Sequence, residues 1–291
     1  MADQNRRMDK YEDNPKSIKY YVKRYLHINS RRFKGKVAVD LPAGNGVTSR
    51  ILKDIGCEVR PFDLFPEYFD VDGLSCERAN VLDKIPMENE SADIVLCQEG
   101  IEHFSDQFRS LQEFNRITKL GGSLIITTPN YSNLKSRMSY FLSESEKFNS
   151  IMPPNEIDSI WMNNQEVSSE VYFGHVFLMG IQKLRVLSRL AGYRIKHIEP
   201  TRIKPTSMIL LLFHYPIIYL SNYITYRKNL KKNKGYDQAY QAQVYKEVFQ
   251  LAVNRRLLID GHLFVEFEKI EHADKVMSGL QSVHKDFKER T

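Results

Sequence analysis

Cysteine is scarce in this chain of 291 residues: Cys57, Cys76 and Cys97 are the only three, and no two form a C-x-x-C pair. An odd, scattered set of this kind argues against a disulfide framework or a thiolate zinc site and favours a reducing compartment. The chain also has no leading apolar stretch. "MADQNRRMDKYEDNPK" is polar throughout, so no signal peptide is expected and the expected location is cytoplasmic. There is no internal repeat and no low-complexity tract, and no His/Asp/Glu group has metal-ligand spacing, which leads to the expectation of a metal-free site. What remains is an ordinary globular composition, 42% hydrophobic and 27% charged, long enough for a sizeable core.

Charge is unevenly spread. Residues 1–36 hold 11 Lys/Arg against 4 Asp/Glu, and residues 194–234 hold 9 against 1, while the remainder is net acidic beneath an overall charge of +6. Two readings stay open: a surface that meets phosphate or anionic lipid, or two solvated faces.

Strand-like and helix-like patterns alternate from residue 37. "KVAVDL", "CEVRPFD", "CERANV", "ADIVLCQE", "SLIITTPN", "RIKHIEP" and "GHLFVEFEKI" read as strands. "GVTSRILKDIG", "DQFRSLQEFNRITKLGG" and "IQKLRVLSRLAGY" read as helices between them. The expected fold class is therefore α/β, a largely parallel sheet with helices on both faces and a ligand crevice at the strands' carboxyl ends. A single domain spanning 1–291 is expected, with a basic helical cap at 1–36. Residues 143–176 and 200–261 break the alternation and read as a lid insertion and an apolar/basic insertion.

"VAVDLPAGNG" runs a strand into glycines. Gly44 and Gly46 let the backbone turn sharply and approach a ligand. Asp40 at the strand end sits badly beside a pyrophosphate and suits a ligand carrying an ammonium. Asp63 ends the second strand roughly 20 residues on, where a carboxylate can accept both hydroxyls of a ribose; its plainer reading is a cap or loop acid. Asn80 could bond the amine of an adenine, or serve only a turn.

"VAVDLPAGNG", "RPFDLFP", "ERANVLDKIP", "ADIVLCQEGIEHF", "LGGSLIITTPNYSNLKSR" and "GHVFLMGIQKLRVLSRLAGY" stand in the order of the motifs of class I S-adenosylmethionine-dependent methyltransferases. The chain resembles that family over about 37–200 and again at "HLFVEFEKI". It is similar in particular to the bacterial branch that holds the ubiquinone-biosynthesis O-methyltransferases and many glycan- and natural-product-tailoring enzymes. The resemblance implies a Rossmann-like seven-stranded mixed sheet with its last strand antiparallel, and S-adenosylmethionine as cofactor with S-adenosylhomocysteine as product. It implies that Asp40, Pro42, Gly44 and Gly46 cradle the methionine part, Asp63 and Leu64 the ribose and adenine, Asn80 and Val81 the adenine, and that Gln98 and Glu99 face cofactor and substrate. Pro42 and Ala43 stand where the family's first loop is usually Gly-Cys-Gly, and Asn80 where it often has Asp.

Methyl transfer from a sulfonium needs positioning, exclusion of water and, for a hydroxyl acceptor, a base. Glu99 and His103 lie four residues apart, so a helix starting here would put them on one face, with His103 the best-placed base. Packing over the cofactor is the alternative for His103. His175 is a second base or substrate-binding candidate, and Asn130 and Tyr131 at the end of the fifth strand are placed to touch the acceptor. The acceptor expected first is a hydroxyl of a glycan, glycolipid or small molecule. A nucleic-acid methyltransferase is the rival suggested by a pI near 9.0. The end of the fourth strand, Gln98-Glu99-Gly100, lacks the Asn/Asp-Pro-Pro-aromatic motif for base amines, "MPPNE" lies past the fifth strand, and an acid there repels phosphate. The other rival is a non-methylating cofactor binder.

Ser207 to Tyr226 is the most apolar run. Pro216, His214, Ser221 and Asn222 interrupt it, so a bilayer span is not expected. It reads either as a helical hairpin that walls the substrate pocket or a homodimer interface, or as peripheral membrane contact through 207–234 at the inner face of a membrane, with Arg227, Lys228, Lys231, Lys232 and Lys234 on lipid headgroups.

Overall fold

The computed structural model describes residues 11–145, 153–162, 172–232 and 237–283. The chain opens with α1 (Ile18–Ile28), started by Ser17, whose hydroxyl accepts from the Lys19 backbone N–H at 3.2 Å. Ile18, Val22, Tyr25 and Leu26 recur at helical spacing and bury one face. There follow β1 (Val37–Asp40), α2 (Val47–Asp54), β2 (Glu58–Asp63), β3 (Glu77–Arg78), β4 (Ala92–Gln98), α3 (Gln107–Ile117) and β5 (Thr118–Pro129). Then come α4 (Leu134–Ser143), α5 (Ile181–Leu190), β6 (Tyr193–Ile198), α6 (Pro205–Lys232), α7 (Gln238–Ala252), β7 (His262–Lys269) and α8 (Ala273–Val283).

The seven strands form one sheet in the order β3-β2-β1-β4-β5-β7-β6. β1 to β5 run parallel to one another, and β7 runs antiparallel to both β5 and β6. Successive side chains of a strand point to opposite faces. Val95 and Cys97 of β4 accordingly join the core beneath α3 and α5, while Ile94 and Leu96 join the one beneath α1 and α2. Cover on both faces explains why β4 is apolar throughout. The chain leaves β1 toward β2 on one side and returns to β4 on the other, so the crevice at the carboxyl ends of β1 and β4 is the switch point where such sheets take ligands.

Several boundaries differ from expectation. The third strand is only Glu77–Arg78. Helix α3 stops at Ile117, where the Thr118 hydroxyl donates to the Phe114 carbonyl at 2.6 Å, and Thr118–Gly122 pairs as strand through a register shift between Ala92 and Ile94, with Gly121 at φ 77°. The last helical stretch is split: Asn254 caps a second short helix, Arg255–Ile259, accepting from Arg256 N at 2.9 Å.

The run 207–226 is not a hairpin in itself. It lies within one continuous helix, α6, of 28 residues with Pro216 inside it, and the hairpin it forms is with α7. Polar residues do not interrupt it because they bond back one turn: the His214 ring to the Leu210 carbonyl (2.9 Å), Asn222 Nδ2 to Ile218 (2.8 Å) and Thr225 Oγ1 to Ser221 (2.9 Å). By length and composition α6 is the one helix among the described residues that could cross a membrane. Of the expected lid at 143–176, residues 146–152 and 163–171 lie outside the described residues, as do 1–10 of the basic cap and Lys234. The described part of the lid includes a two-stranded antiparallel ladder, Ile160–Met162 with Tyr172–Phe173.

Candidate active site

Three parallel strands deliver polar side chains to the same edge: Asp40 from β1, Asp63 from β2 and Gln98 from β4. Two cavities of about 500 Å³ each open there and share Pro42, Asp63 and His103. Asp40, Gly44, Gln98 and Glu99 line one, together with Lys19 of α1. Leu64, Asn80, Val81 and Phe104 line the other. The bipartite shape suits a ligand with an amino-acid end and a nucleoside end.

Asp40 is buried. Its Oδ2 accepts from Ser49 Oγ at 2.6 Å, while Oδ1 has no hydrogen-bond partner among the described residues. Burial pushes its pKa up to about 7 against the pull of the Ser49 hydrogen bond, and the Asp63 charge adds to the rise. A buried carboxylate oxygen without a donor fits the ammonium of S-adenosylmethionine, which would supply that donor and a compensating charge. Asp63 braces the turn: Oδ2 accepts from Gly44 N at 2.7 Å and Oδ1 from Phe65 N at 2.8 Å. Asn80 closes a local turn, its Oδ1 accepting from Leu82 N at 3.0 Å. Thr48 Oγ1 donates to Gln98 Oε1 at 2.8 Å and fixes that amide. Together these residues would hold the methionine and nucleoside parts of the cofactor.

Beyond β4 the expected helix does not form. Glu99 adopts φ 48° and Ile101–His103 makes a single 3-10 turn, because the chain must swing out of the sheet within a few residues. Glu99 and His103 nevertheless line the same cavity. His103 Nδ1–H donates to the carbonyls of Phe173 (2.8 Å) and Gly174 (3.2 Å), which places the ring's lone pair on Nε2. Burial lowers its pKa despite those two bonds, so the ring is neutral near pH 7. Glu102 is fully buried; Oε2 accepts from Thr128 Oγ1 at 2.9 Å and Oε1 has no partner among the described residues. Burial pushes Glu102 up to about 7, and burial with the Glu102 charge pushes Glu99 above the carboxylate range.

His175 lies beside His103, its ring centroid 5.3 Å away, and lines neither cavity. The ligand atoms of Glu102, His103 and His175 lie within 4.8 Å of one another, a spacing that could hold a divalent cation. The expectation of a metal-free site rested on linear spacing, which cannot reveal a group joined across the fold. His262 at the start of β7 stands beside Glu99. Its Nε2 lies 3.5 Å from Glu99 Oε2, and burial together with the charges of Lys204 and Arg202 pushes its pKa down to about 4.

Asn130 is a correction. It is fully buried and its Nδ2 donates to the carbonyls of Leu257 (2.8 Å) and Asp260 (2.9 Å), so it ties β5 to the start of β7 and lines neither cavity. Tyr131 packs edge-on against Tyr140 of α4 and is likewise outside both cavity walls. Sequence reading passed over Lys19 and Thr48, which line the first cavity, and His262, which lines neither but stands beside Glu99. No local pattern marked His262, because its place opposite Pro129 at the end of β5 follows from the strand order.

The strand order, the glycine turn and the strand-end acids define a class I methyltransferase fold. Residues 39–126 match the family described as "Methyltransferase domain". Similarity over that stretch, together with the fold, supports a class I S-adenosylmethionine-dependent methyltransferase. It is 33% identical over 94 residues to an uncharacterized methyltransferase-like protein of Schizosaccharomyces pombe, a match that covers 30% of this chain and 36% of that relative's length. It is 24% identical over 173 residues to the ubiquinone biosynthesis O-methyltransferase of Xanthomonas oryzae, covering 53% of this chain and 72% of the relative. Among solved structures, an S-adenosylmethionine-dependent methyltransferase of Archaeoglobus fulgidus shares the fold at a TM-score of 0.50 and 14% identity, over 89% of this chain and 98% of that one.

Proposed function

We propose that the chain transfers the methyl group of S-adenosylmethionine to a hydroxyl of a small-molecule, glycan or lipid-linked acceptor. The observation that carries this reading is His103, oriented through Nδ1 and lining both cavities. The bound cofactor supplies an activated methyl group. The chain's own part is to hold the acceptor beside it and exclude water, and to take the hydroxyl proton on His103 Nε2 as the oxygen gains its methyl bond. Glu99 and His262 supply further polar groups with which to orient an acceptor. The distant similarity to an O-methyltransferase supports the hydroxyl as the acceptor atom.

The test is a labelled-methyl transfer screen against lipid and polar fractions of a lysate, followed by mass spectrometry of the product. His103→Ala should then lower single-turnover rate by roughly 10²–10⁴-fold with S-adenosylhomocysteine affinity unchanged. An equal fall in affinity would reassign His103 to cofactor packing, and binding without transfer to any fraction would favour a non-methylating binder.

A further inference from the structure

Helix α6 has two faces of opposite fate. Leu210, Leu211, Tyr215 and Ile218 pack on Leu134, Leu258 and Ile259, and Tyr215 OH donates to the Val253 carbonyl at 3.2 Å. Tyr219, Tyr223 and Tyr226 pack against Phe249 of α7. The opposite stripe, at i, i+3, i+4, i+8, i+11 and i+15, is Ile209, Leu212, Phe213, Ile217, Leu220 and Ile224, all exposed, with Leu212 at 74% and Phe213 at 72%. The neighbouring α4 also exposes Phe141 and Leu142, at 81% and 65%. A contiguous apolar stripe of this length marks a surface that something covers.

Charge identifies the cover. Residues 201–236 contain no Asp or Glu, and every charge there is positive: Arg202 and Lys204 before the apolar run, Arg227, Lys228, Lys231, Lys232 and Lys234 after it. Three basic residues of the N-terminal cap, by contrast, are paired within the fold, Arg24 with Glu199, Arg32 with Glu266 and Lys23 with Asp13. Arg227, Lys228, Lys231 and Lys232 form no ion pair among the described residues. A second copy of this chain laid on the stripe would set cations against cations, with no acid from 201–236 to meet them. Anionic headgroups meet both ends, and acyl chains meet the middle.

We infer that α6 is an in-plane membrane-docking helix that seats the enzyme on an anionic bilayer. It does not span, because its other face packs, partly buried, on α4, the short helix Arg255–Ile259 and α7. The helix begins beside the active-site edge: Lys204 N donates to the Ile259 carbonyl at 2.8 Å, three residues before His262, and Ser207 Oγ accepts from Lys135 N at 3.0 Å. Docking therefore brings the acceptor side of the site to the lipid surface. This inference stands apart from the methyl-transfer reading, since the docking test needs no catalysis.

The test is flotation of the full chain with phosphatidylcholine vesicles and with vesicles that also contain phosphatidylglycerol, at low and high salt. Binding to the anionic vesicles should exceed binding to neutral ones by about tenfold or more at low salt and fall with added salt. Leu212→Asp with Phe213→Asp should abolish binding, and Gln at Arg227, Lys228, Lys231 and Lys232 should reduce it to the neutral-vesicle level. Both variants change exposed side chains only, and an unchanged S-adenosylhomocysteine thermal shift verifies the fold. Absence of wild-type binding to either vesicle overturns the inference, and so does binding that both variants leave intact. A vesicle-indifferent dimer that Phe213→Asp dissociates would assign the stripe to a second copy and also overturn it.

Discussion

Asp40 is the residue through which pH should act on this site. Burial holds its carboxyl protonated up to about 7 in the unliganded protein. Its pKa is raised above the unfolded value, so its contribution to stability is fully present below that value and is lost as pH rises through 7. An ammonium beside Oδ1 reverses the balance, because pairing needs the carboxylate. Affinity for S-adenosylhomocysteine should therefore rise between about pH 5.5 and 7, approaching tenfold per unit, and then level off. Asp40→Asn should bind more weakly at neutral pH and lose the slope. Calorimetry across that window checks both, and a slope that survives the substitution would remove Asp40 from the ammonium site. Asp40, Asp63 and the glycines were legible in the sequence because a strand end and its turn are local. Asn130 misled because a polar residue after a strand can turn inward as easily as toward a ligand, and here two carbonyls hold it inward. His262 could not be placed at all without knowing that β7 inserts beside β5.

At the scale of elements, the strand–turn–helix unit of β1 and α2 depends on two glycines with different duties. Both have positive φ, 53° at Gly44 and 84° at Gly46. A Cβ on Gly46 would stand 2.3 Å from Val71 Cγ2 and 2.7 Å from Phe69 Cε2, whereas one on Gly44 would meet nothing within 4 Å. Alanine at either position should cost about 1–2 kcal/mol for the left-handed backbone. At Gly46 overpacking adds about 1–3 kcal/mol more. Gly44→Ala should leave most of the stability but place a methyl on the cavity wall and weaken cofactor binding. Urea unfolding paired with calorimetry separates the two, and equal destabilisation by both would show that the Val71–Phe69 contact yields freely. The alternation of these elements was readable because period-2 and 3.6 patterns survive in a sheet covered on both faces. The continuity of α6 was not, since a proline and three polar residues look like breaks until the bonds of His214 and Asn222 to the preceding turn are seen.

For the whole molecule, the N-terminal cap meets the last strand at Glu266. This buried residue of β7 accepts hydrogen bonds from Tyr25 of the cap, from Arg32 and from Ser123 of β5 (2.7 Å), and lies 3.3 Å from Lys196 of β6. Burial alone would raise its pKa, but the hydrogen bonds from Tyr25, Ser123 and Arg32 outweigh it and hold the carboxyl below its ordinary range. The stability this gives is present above the unfolded carboxylate value and is lost as pH falls through the depressed one. The same cap supplies Ser17, Ile18 and Lys19 to the wall of the cofactor cavity, so fold and site share this joint. Glu266→Ala would strand the buried Tyr25 hydroxyl and should cost about 3 kcal/mol or more. Lys196→Gln, removing a partly exposed partner, should cost under about 1 kcal/mol. The alanine variant should also bind S-adenosylhomocysteine more weakly than its lost stability alone explains, because α1 loses its anchor. Chemical unfolding with and without ligand measures both effects. A Glu266→Ala protein with full affinity and only a surface-sized loss of stability would show that the cap holds its place by its apolar face alone.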